Sequence, residues 1–191
     1  LEAAIRCIAT NGLAATTLDG IAAEAGMARG HVRHFAGNRD EILTAAAVLL
    51  YFGELPEVGA STVDAHSGSF LPAGTADIGE ALDYLFGGFA EPGPENVAAL
   101  AFVDAARTNE RIRAVVIDAY LSSETELRSL LAAAAPQAPA DEIGRTAYGV
   151  LVIALGNVFM SDIQPSPERT AVARGNAELL IDGIGVGVGR S

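Results

Sequence analysis

Four hydrogen-bond donors crowd into the six residues Arg29 to His34 of the run ARGHVRHF: Arg29, His31, Arg33 and His34. Arg29 and Arg33 are four apart, so on a helix they share a face. From that face a guanidinium can fork onto a guanine edge or a phosphate. The two histidines add shorter donors, and Gly30 lies among them. This is recognition chemistry rather than bond-making. His31 and His34 have the spacing of a metal pair, but no cysteine or carboxylate beside them completes a site, so no metal is expected. No nucleophile, base and orienting acid form a hydrolytic set, and no enzyme is expected. The glycine run GIGVGVG at 183–189 imitates a phosphate loop, yet no helix follows to receive a phosphate. It reads as a frayed tail, and no cofactor is expected.

The donors need a helix held proud of a core, and residues 16–43, TTLDGIAAEAGMARGHVRHFAGNRDEIL, have that form. Leu18, Ile21 and Ala22 fall at helical spacing behind a threonine pair, with Asp19 three residues after Thr16 as in a capping box. Gly26 ends this helix. Met27, Val32 and Phe35 then give a second short helix its core face. A third begins at Asn38, a good N-cap, with Arg39 at its start and Ile42 and Leu43 inward. Two helices joined by a glycine-containing turn are a helix-turn-helix, whose second helix the major groove admits. Thr17 and the backbone N–H groups near Asn38 suit phosphates, which orient the protein on the duplex. The expected DNA-binding set is therefore Thr17, Arg29, Gly30, His31, Arg33, His34, Asn38 and Arg39.

The stretch from about Leu1 to Leu43 resembles the N-terminal domain of the tetracycline-repressor (TetR) family of transcriptional regulators. The matching features are the apolar first helix AAIRCIATNG, the threonine pair, IAAEAG, Gly30, His34-Phe35 and the helix start NRDEIL. Two departures stand out. Ala28 replaces a usual capping serine or threonine, weakening the cap by about 1 kcal/mol. Arg33 replaces a usual tyrosine, so the family's operator contacts do not carry over to that position. The resemblance also implies a basic arm ahead of Leu1, a ligand pocket in the later helices, and dimerisation.

Charge runs against this reading and narrows it. The 191 residues carry a formal net charge of −12, unlike a protein that holds nucleic acid by general attraction. Residues 1–52 set Arg6, Arg29, Arg33 and Arg39 against Glu2, Asp19, Glu24, Asp40 and Glu41, a net of −1, so the other 139 residues carry −11. An acidic body repels DNA everywhere except at the reading face, which makes each arginine matter individually. Half the residues are hydrophobic, enough for a sizeable core. Alanine and leucine abound and strand signals are nearly absent, so the expected fold is all-α. Cys7 is the single cysteine, on the apolar side of the first helix, and reads as a buried structural thiol.

A DNA-binding domain over 1–46 and a helical effector-binding and dimerisation domain over 47–191 are expected. The fourth helix should run from Arg39 to about Phe52. A loop at about 53–74, rich in Gly, Ser, Pro and Ala, reads as mobile, with Phe70 and Leu71 docking and His66 solvated. Further helices are expected over 76–90, 94–107, 109–134, 141–161 and 167 to about 183. The longest uncharged stretch, 146–161, is shorter than the roughly 20 residues of a membrane span. It reads as a buried helix, and no secretory signal is recognisable. Phe86, Phe89, Phe102, Tyr120 and Tyr148, with Arg107 and Asn157 as polar contacts, are the candidates for lining an effector pocket.

Ile143, Ala147, Val150, Leu151, Ala154, Leu155 and Val158 form a broad apolar face that Val172, Leu179 and Leu180 continue. One chain is not expected to bury all of it. Gly144, Gly149 and Gly156 each cost about 1 kcal/mol of helix propensity, which close helix packing justifies. Pairing of 141–161 and 167–183 with a second copy gives a four-helix bundle. The whole reads as a cytoplasmic, homodimeric, ligand-responsive regulator that binds a palindromic operator. It reads as a repressor released by a small, mostly apolar effector. The alternative is a helical small-molecule-binding or interaction module without operator binding.

Overall fold

The computed structural model of the chain describes residues 1–53, 69 and 71–185. Among them the regular structure is helical: α1 (Glu2–Asn11), α2 (Leu18–Glu24), α3 (Arg29–Ala36), α4 (Arg39–Phe52), α5 (Ile78–Leu85), α6 (Pro94–Ala105), α7 (Glu110–Ala134), α8 (Ala140–Ile163) and α9 (Pro167–Asp182). A single 3₁₀ turn spans Gly88–Ala90. The all-α expectation holds. The expected mobile loop falls largely outside the described residues, with His66 and Phe70, as does the tail from residue 186. Leu71 is described and buried. The chain divides into two compact units: the described residues of Leu1–Phe70 with Gly93–Tyr120, and those of Leu71–Pro92 with Leu121–Ser191. This division does not follow the boundary at residue 46, because α6 packs against α1 and α4.

In the first unit α1 supplies Ala4, Ile5, Cys7 and Ile8 to a core shared with Ile21 and Ala22 of α2, Val32 of α3, and Ile42, Leu43, Ala46 and Ala47 of α4. Phe102 of α6 and Ile112, Val115 and Ala119 of α7 complete it. Tyr51 of α4 donates its hydroxyl to the Ala99 carbonyl of α6 at 3.0 Å. The Tyr120 ring stands edge-on to it, with centroids 6.4 Å apart. Burial pushes both phenols above their ordinary pKa, so both stay neutral. Burial likewise raises the Cys7 thiol.

Asn38 sets the start of α4 as expected: its Oδ1 accepts from the Asp40 and Glu41 amides, and Glu41 Oε2 accepts from the Asn38 amide at 2.7 Å. That reciprocal box fixes Gly37. Its φ is +84°, and a Cβ there would run into the Glu41 carboxylate, so no other residue fits without breaking the cap. The cap of α2 differs from the reading by one residue. Thr17, not Thr16, is the N-cap, accepting from the Gly20 amide at 3.1 Å. Thr16 is buried and donates its hydroxyl back to the Gly12 carbonyl, which spends it on closing α1.

In the second unit α5 ends at Leu85 rather than running to 90. The Phe86 and Gly87 amides close back on the Leu82 and Tyr84 carbonyls as the chain leaves the helix. α8 and α9 pack together so closely that a Cβ on Gly149 would lie 2.8 Å from Leu180 Cδ1. Here the glycine cost has its packing reason. Thr170 donates to Asn157 Oδ1 at 3.2 Å across the same seam.

The apolar face assigned to α8 needs correction. Ile143, Ala147, Val150, Leu151, Ala154 and Val158 are buried within the chain itself, and Leu155 is half-buried. The side chains turned outward are instead Tyr148, Val152, Phe159, Met160 and Ile163, from 47 % to 66 % exposed. Gly156 lies among them with open space where a Cβ would be. Val172, Leu179 and Leu180 of α9 are exposed as expected. α8 is long and apolar enough to cross a membrane by length and composition. Its inner stripe is nevertheless packed as a core helix packs.

Candidate nucleic-acid interface

The turn between α2 and α3 is built by Gly26. The Met27 amide reaches back to the Ala22 carbonyl at 2.9 Å and the Gly26 amide to Ala23 at 3.1 Å, with Gly26 at φ +64°. This pair of bonds is a Schellman closure, and its left-handed residue is cheap only as glycine. Ala28 is the N-cap of α3, and its side chain supplies no hydrogen bond. The helix then runs for eight residues with one buried side chain, Val32. Arg29, Gly30, His31, Arg33 and His34 are all exposed, so none of the donors is spent in the core. Gly30 meets nothing within 4 Å of a notional Cβ, leaving that surface low at its centre.

Met27 and Phe35 do not belong to the core face, contrary to expectation: they are 43 % and 59 % exposed. Val32 and Ala36 define the inward line, and Phe35 stands about 80° around the helix from it. Arg33 stands as far round on the other side. The Phe35 ring makes edge contacts with His34, centroids 4.9 Å apart, and with His31 at 6.4 Å.

The arginines of the first unit's head differ in what already holds them. Arg29 Nη1 is 3.0 Å from Asp19 Oδ2, both exposed. Arg6 Nε is 2.7 Å from Glu24 Oε1, a bond that raises the guanidinium pKa. Arg39 donates to the Thr16 carbonyl at 2.6 Å and to the Leu13 carbonyl at 2.7 Å. It therefore ties the α1–α2 connection to the start of α4. The Arg33 guanidinium makes no hydrogen bond or ion pair among the described residues. Thr17 is exposed, its oxygen already accepting from Gly20. The amides of Asn38, Asp40 and Glu41, read as phosphate clamps, are taken by the capping box.

The candidates for an effector pocket fall in both units. In the first, Phe102 is fully buried in the core, Tyr120 packs on Tyr51, and Arg107 is exposed at the end of α6. The Arg107 carbonyl accepts from Arg113 at 2.9 Å. In the second, Phe86 is buried, and Phe89 lies 5.7 Å from Tyr84, whose phenol burial pushes up. Tyr148 is 59 % exposed on the outward stripe of α8. Asn157 is buried, and its Nδ2 has no hydrogen-bond partner among the described residues.

Comparison with known proteins adds to this geometry. The family model described as bacterial regulatory proteins, tetR family, matches residues 1–46. No curated protein matches the chain in sequence. A solved structure with the same fold is a transcriptional regulator from Rhodococcus sp. Rha1, with 18% sequence identity and a TM-score of 0.65 over 99% of this chain and 96% of that one.

Proposed function

Because residues 1–46 belong to the TetR family of bacterial regulatory proteins, we propose that the chain is a DNA-binding transcriptional regulator and not an enzyme. The observation that carries this is the outward surface of α3. It is the second helix of a helix-turn-helix, and it presents Arg29, Gly30, His31, Arg33 and His34 together. A helix so held enters the major groove. Arg33 is the free guanidinium for a base edge, and the side chains of Thr17 and Asn38 flank it for phosphate.

The finer reading is a repressor that binds a palindromic operator as a homodimer. The outward stripe of Tyr148, Val152, Phe159 and Ile163, with Val172, Leu179 and Leu180 of α9, supports a self-complementary interface. Two reading helices about 34 Å apart then match successive major grooves. Residues 47–191 take a small, mostly apolar effector, with the Tyr84–Phe89 aromatic pair next to Phe86 as the supporting feature. The effector releases the operator only as far as it discriminates between two orientations of α4, at about 1.4 kcal/mol per tenfold.

One observation favours the second reading, a helical module without operator binding. Arg6, Arg29 and Arg39 are all engaged by carboxylates or carbonyls of the chain. The test is selection from a random duplex pool by the whole chain at low salt. Enrichment of a palindromic sequence, lost as salt rises, is the expected result; no enrichment over scrambled duplex overturns the regulator reading. Native mass spectrometry of the purified protein identifies a carried effector.

A further inference from the structure

α3 turns one large apolar side chain outward. Phe35 is 59 % exposed, in an eight-residue helix whose other exposed side chains include Arg29, His31, Arg33 and His34. The two histidine rings stand edge-on to it at 4.9 and 6.4 Å, so the phenyl ring is flanked rather than free to sweep. Ring pairs of this kind hold a defined geometry. Leaving a phenylalanine in water forfeits its burial. What covers it must also meet the donors beside it, of which Arg29 already holds Asp19 while Arg33, His31 and His34 have no side-chain acceptor among the described residues. The partner of this surface is therefore rich in acceptors and carries an apolar spot beside them. The major groove has one such spot, the C5 methyl of thymine, set next to purine and pyrimidine acceptors.

We propose that Phe35 is a specificity-determining residue that packs its ring on a thymine methyl in the operator. The proposal rests on the DNA-reading function above and goes beyond it by naming the base and the group recognised. A phenyl ring has no donor to offer a phosphate, so Phe35 adds selectivity by shape and not by charge.

The experiment uses the whole chain and the duplex it selects. Each thymine is replaced in turn by uracil, which lacks only the methyl, and binding is followed by fluorescence anisotropy. One position per half-site should weaken by about fourfold, the worth of one buried methyl-sized group. In Phe35→Ala that same position should become indifferent to the exchange. Phe35→Leu should keep part of the discrimination. Phe35 is exposed, so these variants keep the fold, which circular dichroism verifies. The proposal fails if no thymine methyl matters, or if Phe35→Ala still distinguishes thymine from uracil. It fails equally if Phe35→Ala weakens every duplex alike, which puts the ring on the sugar–phosphate backbone. A change in sedimentation with DNA binding intact makes Phe35 a protein contact and also overturns it. Absence of any selected duplex for the wild type is a different result: it removes the DNA reading itself, and this proposal with it.

Discussion

α3 and α8 each leave a surface uncovered, and the two surfaces differ in kind. That of α3 is mostly donors around a single ring, on a helix of eight residues with one buried side chain. That of α8 is a continuous apolar stripe on a helix of 24 residues whose opposite side is also apolar and buried. A donor surface meets a polyanion through contacts that salt weakens and ligands can shift. An apolar stripe meets its like, and salt does little to it. The same chain thus carries one surface suited to letting go and one suited to staying.

The sharpest break in this comparison is to charge the stripe. The double substitution Val152→Glu with Phe159→Glu places two carboxylates where both side chains are already exposed, so helicity should be unchanged by circular dichroism. If the stripe pairs two copies, sedimentation should show a monomer. The duplex affinity should then fall by roughly 10²–10⁴-fold through lost bivalency. A dimer that persists ends the assignment of that stripe. On α3 the expected effects are smaller. Arg33→Ala should cost about 1–3 kcal/mol of binding and relax selection at one base pair; unchanged affinity and selection remove Arg33 from the interface.

The two surfaces were also unequally legible in the sequence. The bounds of α4 could be read directly, because Asn38, Glu41 and Gly53 mark its ends with local chemistry that needs no tertiary partner. The outward placement of Arg29, His31, Arg33 and His34 follows from polarity. Phe35 did not, because an aromatic in a short helix is sorted inward by type, whereas the inward line of α3 is made by Val32 and the small Ala36. In α8 both sides are apolar, so composition cannot tell which side the rest of the chain covers. Ile143 to Val158 and Tyr148 to Ile163 differ only in what packs on them. The structural role of Arg39 was hidden for a related reason: its carbonyl partners at Leu13 and Thr16 are more than twenty residues away.

Stability and binding can be driven apart on α3. Ala28→Ser restores the absent N-cap and should raise stability by about 1 kcal/mol in chemical denaturation, with little change in duplex affinity. No gain would mean that the Ala28 position lacks cap geometry in solution. Gly30→Ala meets open space and should stabilise the fold by about 0.5–1 kcal/mol. If base edges approach the helix at Gly30, the same methyl should weaken DNA binding. A variant that is more stable and binds equally well places Gly30 away from the groove floor.

The smallest expected effect tests the proposal that an acidic protein reads DNA through α3. The Arg29–Asp19 pair is exposed at both ends, so Asp19→Asn should change stability by less than about 1 kcal/mol. Its effect on binding comes from the freed guanidinium and the lost repulsion of phosphate by a carboxylate. Affinity for any duplex should rise modestly, and the salt dependence should steepen by about one phosphate contact. Arg29→Ala should do the opposite, since it leaves Asp19 unpaired beside the DNA. The double variant Asp19→Asn with Arg29→Ala should therefore regain most of the wild-type affinity, whereas no charge change at Asp19 should rescue Arg33→Ala. If the double variant stays as weak as Arg29→Ala alone, Arg29 itself contacts a base or phosphate, and Asp19 merely orients it. That outcome would make the pair a positioning device, and the donor surface of α3 would have two reading arginines instead of one.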